Sequence, residues 1–543
     1  MSSPPTRAAW VDQLLRRAIL SGELQPGEKL LGEKLVGMAI WLGLILAGVL
    51  AGLATPGQTS TLIVGARLVD GSGQPSRSAS IRIEGDRITA VGKLRPGPED
   101  VMIHAEGLTL APGFIDAHSH HDRGDFADRD MVPLLAEGVT TIVIGQDGES
   151  SAPLAKVAAD YEARPASLNL ASYTGHGMIR DQVMGKDYHR AATEAEVKAM
   201  ADLLKADMAA GSLGLSTGLE YDPGLYSTRD EVLALARVSA AAGGRYISHM
   251  RNEDVAVEAA LDELLEIGRQ TGMPVQISHL KLAAASGWGR APRILAKLDQ
   301  ARAEGIKVTA DVYPYDYWQS NLSVLLPDRD FTDLKAARFA LSELATPEGM
   351  LIATFVPEPA MAGKTLAEIA TARGEPPEVT YLSLVRQVEA WREAHPGASR
   401  LDSMIVRAMS PGDVADFIAW PFAVICSDGY LGSRHPRGIG AFAKVLRLYV
   451  REQHRLSLES AIHKMTGLTA ENLGIARRGL VKPGYYADLV LFDPDRITDH
   501  ATPDAPQATA EGVSRVWING ALVFEQNRAT GSHPGRFIRR GAL

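Results

Sequence analysis

Between residues 112 and 474, short apolar runs alternate with helix-like stretches, and this alternation limits the fold more than any other feature. The runs are Phe114–His118, Thr140–Ile144, Leu168–Tyr173, Leu213–Thr217, Tyr246–His249, Val275–His279, Val308–Val312 and Ala423–Ser427. Most are continuous rather than alternating, the pattern of strands buried on both faces of a parallel sheet. The stretches between them carry helix signals. Thr193-x-x-Glu196 is a capping box, Ser227 stands ahead of Asp230–Ala242, and Ser410-Pro411 opens Val414–Trp420. Buried strands with helices between them predict an α/β fold, a (β/α)8 TIM-type barrel.

The flanks have a different period. Leu62-Ile63-Val64, Ala79–Glu84 and Arg87–Gly92 alternate as antiparallel strands do, and so do Ala487–Asp493 and Val513–Gly520. Residues 61–111 and 475–530 are therefore expected to build one small β-sandwich from both chain ends, around a barrel of residues 112–474. Residues 314–422 separate the seventh and eighth runs. An insertion of this length on the carboxyl face of a barrel reads as a lid or a specificity element.

Residues 1–34 read as an N-terminal extension. Residues 14–30 resemble the opening helix and turn of GntR-type winged-helix regulators, but no further helix or wing is evident beyond them, so a short amphipathic helix is expected. Residues 35–54 contain no charged side chain and are long enough to span a bilayer. They are expected to be a signal or membrane-anchor segment, with a periplasmic or inner-membrane location and the cytoplasm as the alternative. The net charge of -9 argues against a nucleic-acid partner, and a single cysteine, Cys426, excludes an intrachain disulfide. Oligomeric state leaves no mark on the sequence.

A barrel of this kind builds its active site at the carboxyl ends of its strands. The first run ends in His118 and His120, which project the same way because they are two residues apart on an extended chain. The second leads to Asp147, the fourth to Glu220 and Tyr221, and the fifth to His249. The sixth ends in His279 with Lys281 beyond it, and the eighth leads to Asp428. Taken singly, His249 is an ordinary interior histidine and Asp428 a loop cap. Together, imidazoles and carboxylates gathered at one rim suit a divalent transition metal, zinc first among them.

Several motifs accompany these residues: Pro112-Gly113-Phe114-Ile115-Asp116-Ala117-His118-Ser119-His120, Gly175-His176-Gly177, and Ser216-Thr217-Gly218-Leu219-Glu220-Tyr221. Ser248-His249-Met250-Arg251-Asn252-Glu253, Ser278-His279-x-Lys281, Asp311-Val312-Tyr313-Pro314-Tyr315 and Ser427-Asp428-Gly429 with His435-Pro436-Arg437 complete the set. In these the chain resembles the amidohydrolase superfamily and, within it, the D-aminoacylase family of N-acyl-D-amino-acid deacylases, from about residue 61 to about residue 525. The resemblance implies a metal-dependent hydrolase that cleaves the amide of a small N-acyl-D-amino acid or D-dipeptide, using one or two zinc ions. It implies that His118, His120 and Asp428 hold one ion and that His249 and His279 hold a second. Asp147 stands where the family's type members carry a cysteine, and Glu220 where related amidohydrolases carry a bridging carboxylate or carbamylated lysine. Asp147 and Glu220 are thus rivals for the bridging place. Asp428 is expected to carry the proton from the attacking water to the leaving nitrogen. Tyr221, Lys281, Tyr313 and Arg437 are expected to hold the substrate's carboxylate, and Arg437 could instead meet an acidic side chain. His176 is expected either at the substrate carbonyl or in a structural role. The alternatives are a cyclic-amide hydrolase of dihydroorotase or hydantoinase type on the same barrel, a deaminase, or a non-enzyme.

Overall fold

The computed structural model describes residues 60–122, 126–398 and 400–541. The winged-helix-like stretch and the uncharged segment 35–54 lie outside the described residues. Among those described, no helix is long and apolar enough to cross a membrane.

The centre is a ring of parallel strands: β1 (Phe114–Asp116), β2 (Val139–Ile144), β3 (Asn169–Ser172), β4 (Gly214–Gly218), β5 (Arg245–His249), β6 (Val275–Ile277), β7 (Val308–Val312) and β8 (Ala423–Ile425). Sequence neighbours are spatial neighbours. β1 pairs with β2 and β2 with β3, and β4 to β8 pair in order. A two-residue strand at Thr174–Gly175, just past β3, pairs with β4 and carries the sheet across a break at Tyr173. Asp428 N–H donates to His118 O and His120 N–H to Gly429 O, each at 2.9 Å, and these bonds close the ring between β8 and β1. The expected (β/α)8 barrel is therefore present. All of β2, Val-Thr-Thr-Ile-Val-Ile, is buried, because one face lines the barrel and the other lies beneath packed elements.

Two of the three expected helix starts hold as read. Thr193 and Glu196 cap Glu194–Ala210 reciprocally, and Ser410 accepts from Asp413 N–H ahead of Pro411–Ala419. The third shifts by one residue. Thr228 caps Arg229–Ala241, while the Ser227 hydroxyl turns back to Gly224 O and closes the short 3-10 turn Gly224–Tyr226.

The two chain ends build two sheets, and they meet in the second. A four-stranded sheet runs Arg87–Gly92, Ser80–Glu84, Ser60–Val64, Asp100–His104. In a seven-stranded sheet, Thr109–Pro112 pairs antiparallel with Leu489–Phe492, Ala111 opposite Val490. Ile63, Ile81 and Ile88 of the first sheet share one core with Leu110, Leu491 and Trp517 of the second, which makes a sandwich. Thr109–Pro112 leads directly into β1, so the sandwich anchors the first ligand-bearing strand.

The insertion between β7 and β8 is a domain-like roof. Its antiparallel sheet places Asp402–Arg407 between Tyr317–Ser320 and Met350–Phe355. Helices Leu334–Glu343, Leu366–Arg373 and Pro377–Ala394 accompany that sheet, and Tyr381 donates its hydroxyl to Leu322 O at 2.6 Å.

Candidate metal centre and its cavity

β1 ends at Asp116, but the extended alternation continues through His120. Ser119 N–H donates to Val143 O on the β2 side, whereas His118 O and His120 N–H face the β8 side. His118 and His120 therefore point the same way, with ring centroids 5.4 Å apart. Three other members of the group use left-handed backbone: Asp147 at φ 53°, His279 at φ 34° and Asp428 at φ 47°. For residues with a Cβ such conformations cost about 1 kcal/mol or more, and they cluster at functional sites. Each turns the chain just past its strand, so that the side chain comes back over the barrel mouth. Gly218 makes room for the first of these turns, since a Cβ there would lie 2.0 Å from Asp147 O.

Two donor groups result, and they share one residue. His118 Nε2 lies 3.4 Å from Asp147 Oδ2 and 3.5 Å from Asp428 Oδ1, while His120 Nε2 lies 3.2 and 3.4 Å from the same two oxygens. The other oxygen of Asp147, Oδ1, lies 3.3 Å from His279 Nε2, which is 3.1 Å from His249 Nδ1. Four donors placed tetrahedrally about 2.1 Å from one ion stand roughly 3.4 Å apart, which is the spacing seen. His118 Nε2 and Asp147 Oδ1 are buried and have no hydrogen-bond partner among the described residues. Orphaned atoms of this kind, one facing each donor group, fit cations.

Each inner imidazole has a carboxylate behind it. Asp311 Oδ1 stands 3.6 Å from His118 Nδ1 and is itself held by His279 N–H at 2.7 Å, while Gln276 Nε2 holds its other oxygen at the same distance. Glu220 Oε2 lies 3.1 Å from His249 Nε2, and Glu253 Oε1 lies 3.0 Å from His279 Nδ1. A carboxylate on the rear nitrogen keeps the proton there and leaves the front nitrogen free to ligate. Asp311 and Glu253 have no assigned role in the sequence reading. Each stood inside a motif, Glu253 with His249 and Asp311 with Tyr313, but what gives them a role is contact across strands.

The charges balance tightly. Burial disfavours charge on His118, but Asp147 and Asp311 outweigh it and hold its pKa well above the usual value. Burial and Lys281 likewise act against His279, yet Glu253, Asp428 and Asp147 carry it up to about 9. Burial alone would raise Asp147 and Asp428. Instead the imidazoles hold Asp147, and Arg437 with His279 holds Asp428, below the ordinary carboxylate range.

The other expected site residues divide. Tyr221 lies with its ring 4.4 Å from that of His249. Tyr313 is buried with its hydroxyl unpartnered, under the Arg437 guanidinium at 4.7 Å. Arg437 reaches Asp428 Oδ2 at 2.5 Å. Lys281 is committed to Glu253 Oε2 at 2.5 Å and lies 2.7 Å from His279 Nδ1. These four line one cavity of about 1080 Å³ with His120, Asp147, Glu220, His249, His279 and Asp428, and the insertion roofs it. Glu220 sits on the outer side of His249 and accepts Glu253 N–H at 3.0 Å, so Asp147 alone stands between the two donor groups. His176 does not reach the cavity. Helix His176–Met184 begins at this residue and turns it inward to Glu231 Oε1 at 2.9 Å, where Arg180 also donates at 3.0 Å. Contact between His176 and a substrate carbonyl is thereby corrected to the structural role.

Comparison with known proteins adds relatives to this geometry. The profile of the Amidohydrolase family matches residues 101–379 and 433–524. The chain is 37% identical over 507 residues to the D-aminoacylase of Alcaligenes xylosoxydans xylosoxydans, spanning 89% of this chain and 98% of that protein. It is 35% identical over 508 residues to the N-acyl-D-glutamate deacylase of the same organism, spanning 89% and 96%. The N-acyl-D-glutamate deacylase of Bordetella bronchiseptica, solved with zinc and a phosphonate that mimics the tetrahedral intermediate of the reaction, superposes with a TM-score of 0.79. That pair is 34% identical and covers 88% of this chain and 99% of the other.

Proposed function

The chain belongs to the amidohydrolase family and is a metal-dependent hydrolase of amide C–N bonds; on that premise we propose that it cleaves N-acyl-D-amino acids, or related small amides and D-dipeptides, to a carboxylate and a free amine. The observation that carries the reading is Asp147, whose two oxygens face the two donor groups separately. His118, His120, Asp147 and Asp428 would hold one divalent ion, and Asp147, His249 and His279 a second. Zinc fits these nitrogen and oxygen donors, and an aspartate at the shared place makes the set harder than a thiolate would. When bound, the metal lowers the pKa of a water and polarises the scissile carbonyl.

The protein's own groups do the rest. Asp428 takes the proton of the attacking water and delivers it to the leaving nitrogen. Arg437, on its outer oxygen, keeps it ionised for the first transfer. Asp311, Glu220 and Glu253 hold the three imidazoles in ligating orientation. The unpartnered Tyr313 hydroxyl, with Tyr221 and Arg437 beside it, supplies donors for the substrate's carboxylate. Lys281 joins them only if it exchanges Glu253 for the substrate.

The cyclic-amide alternative has weaker support, since the relatives named above are deacylases of acyclic N-acyl amino acids. Metal analysis of the purified chain with a panel of N-acetyl-D- and N-acetyl-L-amino acids, dihydroorotate and hydantoins tests the choice. Turnover of the D-amides with bound metal is expected, and turnover confined to the cyclic amides would refute the reading. We also propose residues 61–111 with 475–530 as the sandwich, and 112–474 as the barrel bearing insertion 314–422; the separate sandwich core supports that division. For residues 35–54, lack of charge supports export or anchoring, which cell fractionation tests.

A further inference from the structure

We infer that His435 is a positioning residue that ties the roof to the Arg437–Asp428 pair, so that the seat of the roof on the barrel sets where the proton carrier stands. The inference deepens the deacylase reading and rests on it. His435 belongs to the segment His435-Pro436-Arg437, and no step of the mechanism uses its side chain. The side chain is buried and bridges two parts of the molecule. Arg437 N–H donates to its Nδ1 at 3.1 Å, and its Nε2 lies 3.0 Å from Tyr317 O, at the start of the insertion's strand Tyr317–Ser320. A backbone N–H can only donate and a carbonyl can only accept, so Nδ1 carries the lone pair and Nε2 the proton. Burial and the neighbouring Arg437 guanidinium hold the pKa well below the usual value, which keeps the ring in this neutral form. The other tautomer would lose both bonds, and a charged ring would lose the one to Arg437.

Both ends of this bridge bear on the floor. Arg437 opens helix Arg437–Lys444, where the first N–H groups have no partner within the helix, and His435 supplies one. The same turn presses on the loop after β8. A Cβ on Gly429 would lie 2.4 Å from Gly438 Cα, and one on Gly438 would lie 2.9 Å from Tyr430 O. From this turn the Arg437 guanidinium reaches Asp428 Oδ2 at 2.5 Å and lies over the Tyr313 ring. On the roof side the imidazole is set among the rings of Tyr313, Tyr315 and Tyr317, at 6.2, 5.5 and 4.8 Å between centroids. A second link runs beside it: His435 N–H donates to Ser433 Oγ at 3.1 Å, and that hydroxyl donates to Gln319 Oε1 on the same roof strand at 2.9 Å. The ring therefore cannot shift with Arg437 unless strand Tyr317–Ser320 shifts too. A displacement of about 1 Å at a reacting group can lower a rate on the order of 10²-fold, so a small slip in this bridge is felt at Asp428.

The test uses two isosteres on the metal-loaded full chain with N-acetyl-D-methionine. His435→Asn puts an amide oxygen where Nδ1 stands and keeps the acceptor for Arg437 N–H. His435→Gln reaches the Nε2 place instead and keeps the donor to Tyr317 O, but leaves a buried N–H unpaired at the helix start. The expected order of kcat is wild type, His435→Asn, His435→Gln, with the last at least roughly tenfold below wild type and zinc content unchanged. In an Arg437→Met background His435→Gln should cost less than about threefold more, because its effect passes through Arg437. A second readout needs no turnover. In spectra of histidine-15N-labelled protein near neutral pH, the signals lost in either variant should be those of a neutral ring protonated on Nε2. A His435→Gln rate within about threefold of wild type, or a full further loss in the Arg437→Met background, overturns the inference and leaves the deacylase reading standing. A ring that is charged or protonated on Nδ1 overturns it too. Failure of both His435 variants to fold where Arg437→Met folds would assign His435 to the fold alone, and also overturn it. No turnover of any N-acyl-D-amino acid by the wild type overturns the deacylase reading, and the spectra then still decide the bridge.

Discussion

The floor and the roof of the cavity are built on opposite principles. On the floor, imidazoles and carboxylates from the barrel strand ends are brought within 3.2–3.5 Å of one another, three of them on left-handed backbone, with orphaned atoms facing inward. In the roof, Arg329 is paired with Asp222 of the rim and Arg392 with Glu389 within the insertion. The floor stores electrostatic frustration that a cation relieves. The roof uses Arg329 to fasten itself to the rim. The contrast teaches where chemistry and selectivity reside: substitutions on the floor should change rate, and those in the roof should change which substrate is used.

The largest effect expected is on the floor. Asp428→Asn removes a proton carrier and should lower kcat by roughly 10³-fold on N-acetyl-D-methionine, within the range for general acid–base groups. A fall of less than tenfold would break the contrast. Next comes a roof residue whose effect is on stability rather than rate. Asp402 has its carboxyl raised from an unfolded value near 4 to about 6. A raised carboxyl is harmless while protonated, so the wild type loses stability as pH rises from about 4 through about 6. Relative to wild type, Asp402→Asn should therefore gain up to roughly 3 kcal/mol between pH 4 and pH 7, and nothing more above that, in denaturant melts. A flat difference would show that Asp402 is not held in a desolvated roof.

Glu253→Gln probes the layer behind the floor. It leaves the ligands in place but removes the carboxylate from His279 Nδ1, and metal affinity measured by competition with a chelator should fall about 10- to 100-fold. The smallest effect on catalysis is expected at His176. It is buried like the floor histidines, yet it is bound by Glu231 away from the cavity. His176→Gln should leave kcat/KM within about threefold while costing about 1–2 kcal/mol in stability, the worth of a buried hydrogen bond. A large loss of rate would mean that the network beneath the rim belongs to the floor after all.

The sequence revealed the floor far better than the roof, for physical reasons. Barrel strands are local apolar runs, and the site lies at their ends, so His118, His120, His249, His279 and Asp428 could be found by reading the residues just past each run. The sharing of Asp147 was not legible. It depends on a left-handed turn after β2 and on the close approach of Gly218, neither of which leaves a periodic trace. Asp311 and Glu253 were hidden because their partners lie on neighbouring strands. For His176 the choice between a substrate contact and a structural role stayed open, because the sequence does not show that a helix starts there and turns the ring to Glu231. Lys281 stood at the expected strand end, but its commitment to Glu253 is a tertiary fact. The insertion has no repeat linking it to the barrel, and only packing determines which of its side chains face the cavity.

At the centre of this picture is a floor that, once loaded with metal, hydrolyses N-acyl-D-amino acids. Stripping the purified chain with a chelator and then titrating zinc back, while following hydrolysis of N-acetyl-D-methionine and its L enantiomer, tests this in one experiment. The expected result is negligible turnover in the stripped protein, recovery as zinc is bound, and selectivity for the D enantiomer. Full activity after stripping, or equal turnover of the L enantiomer, would contradict it.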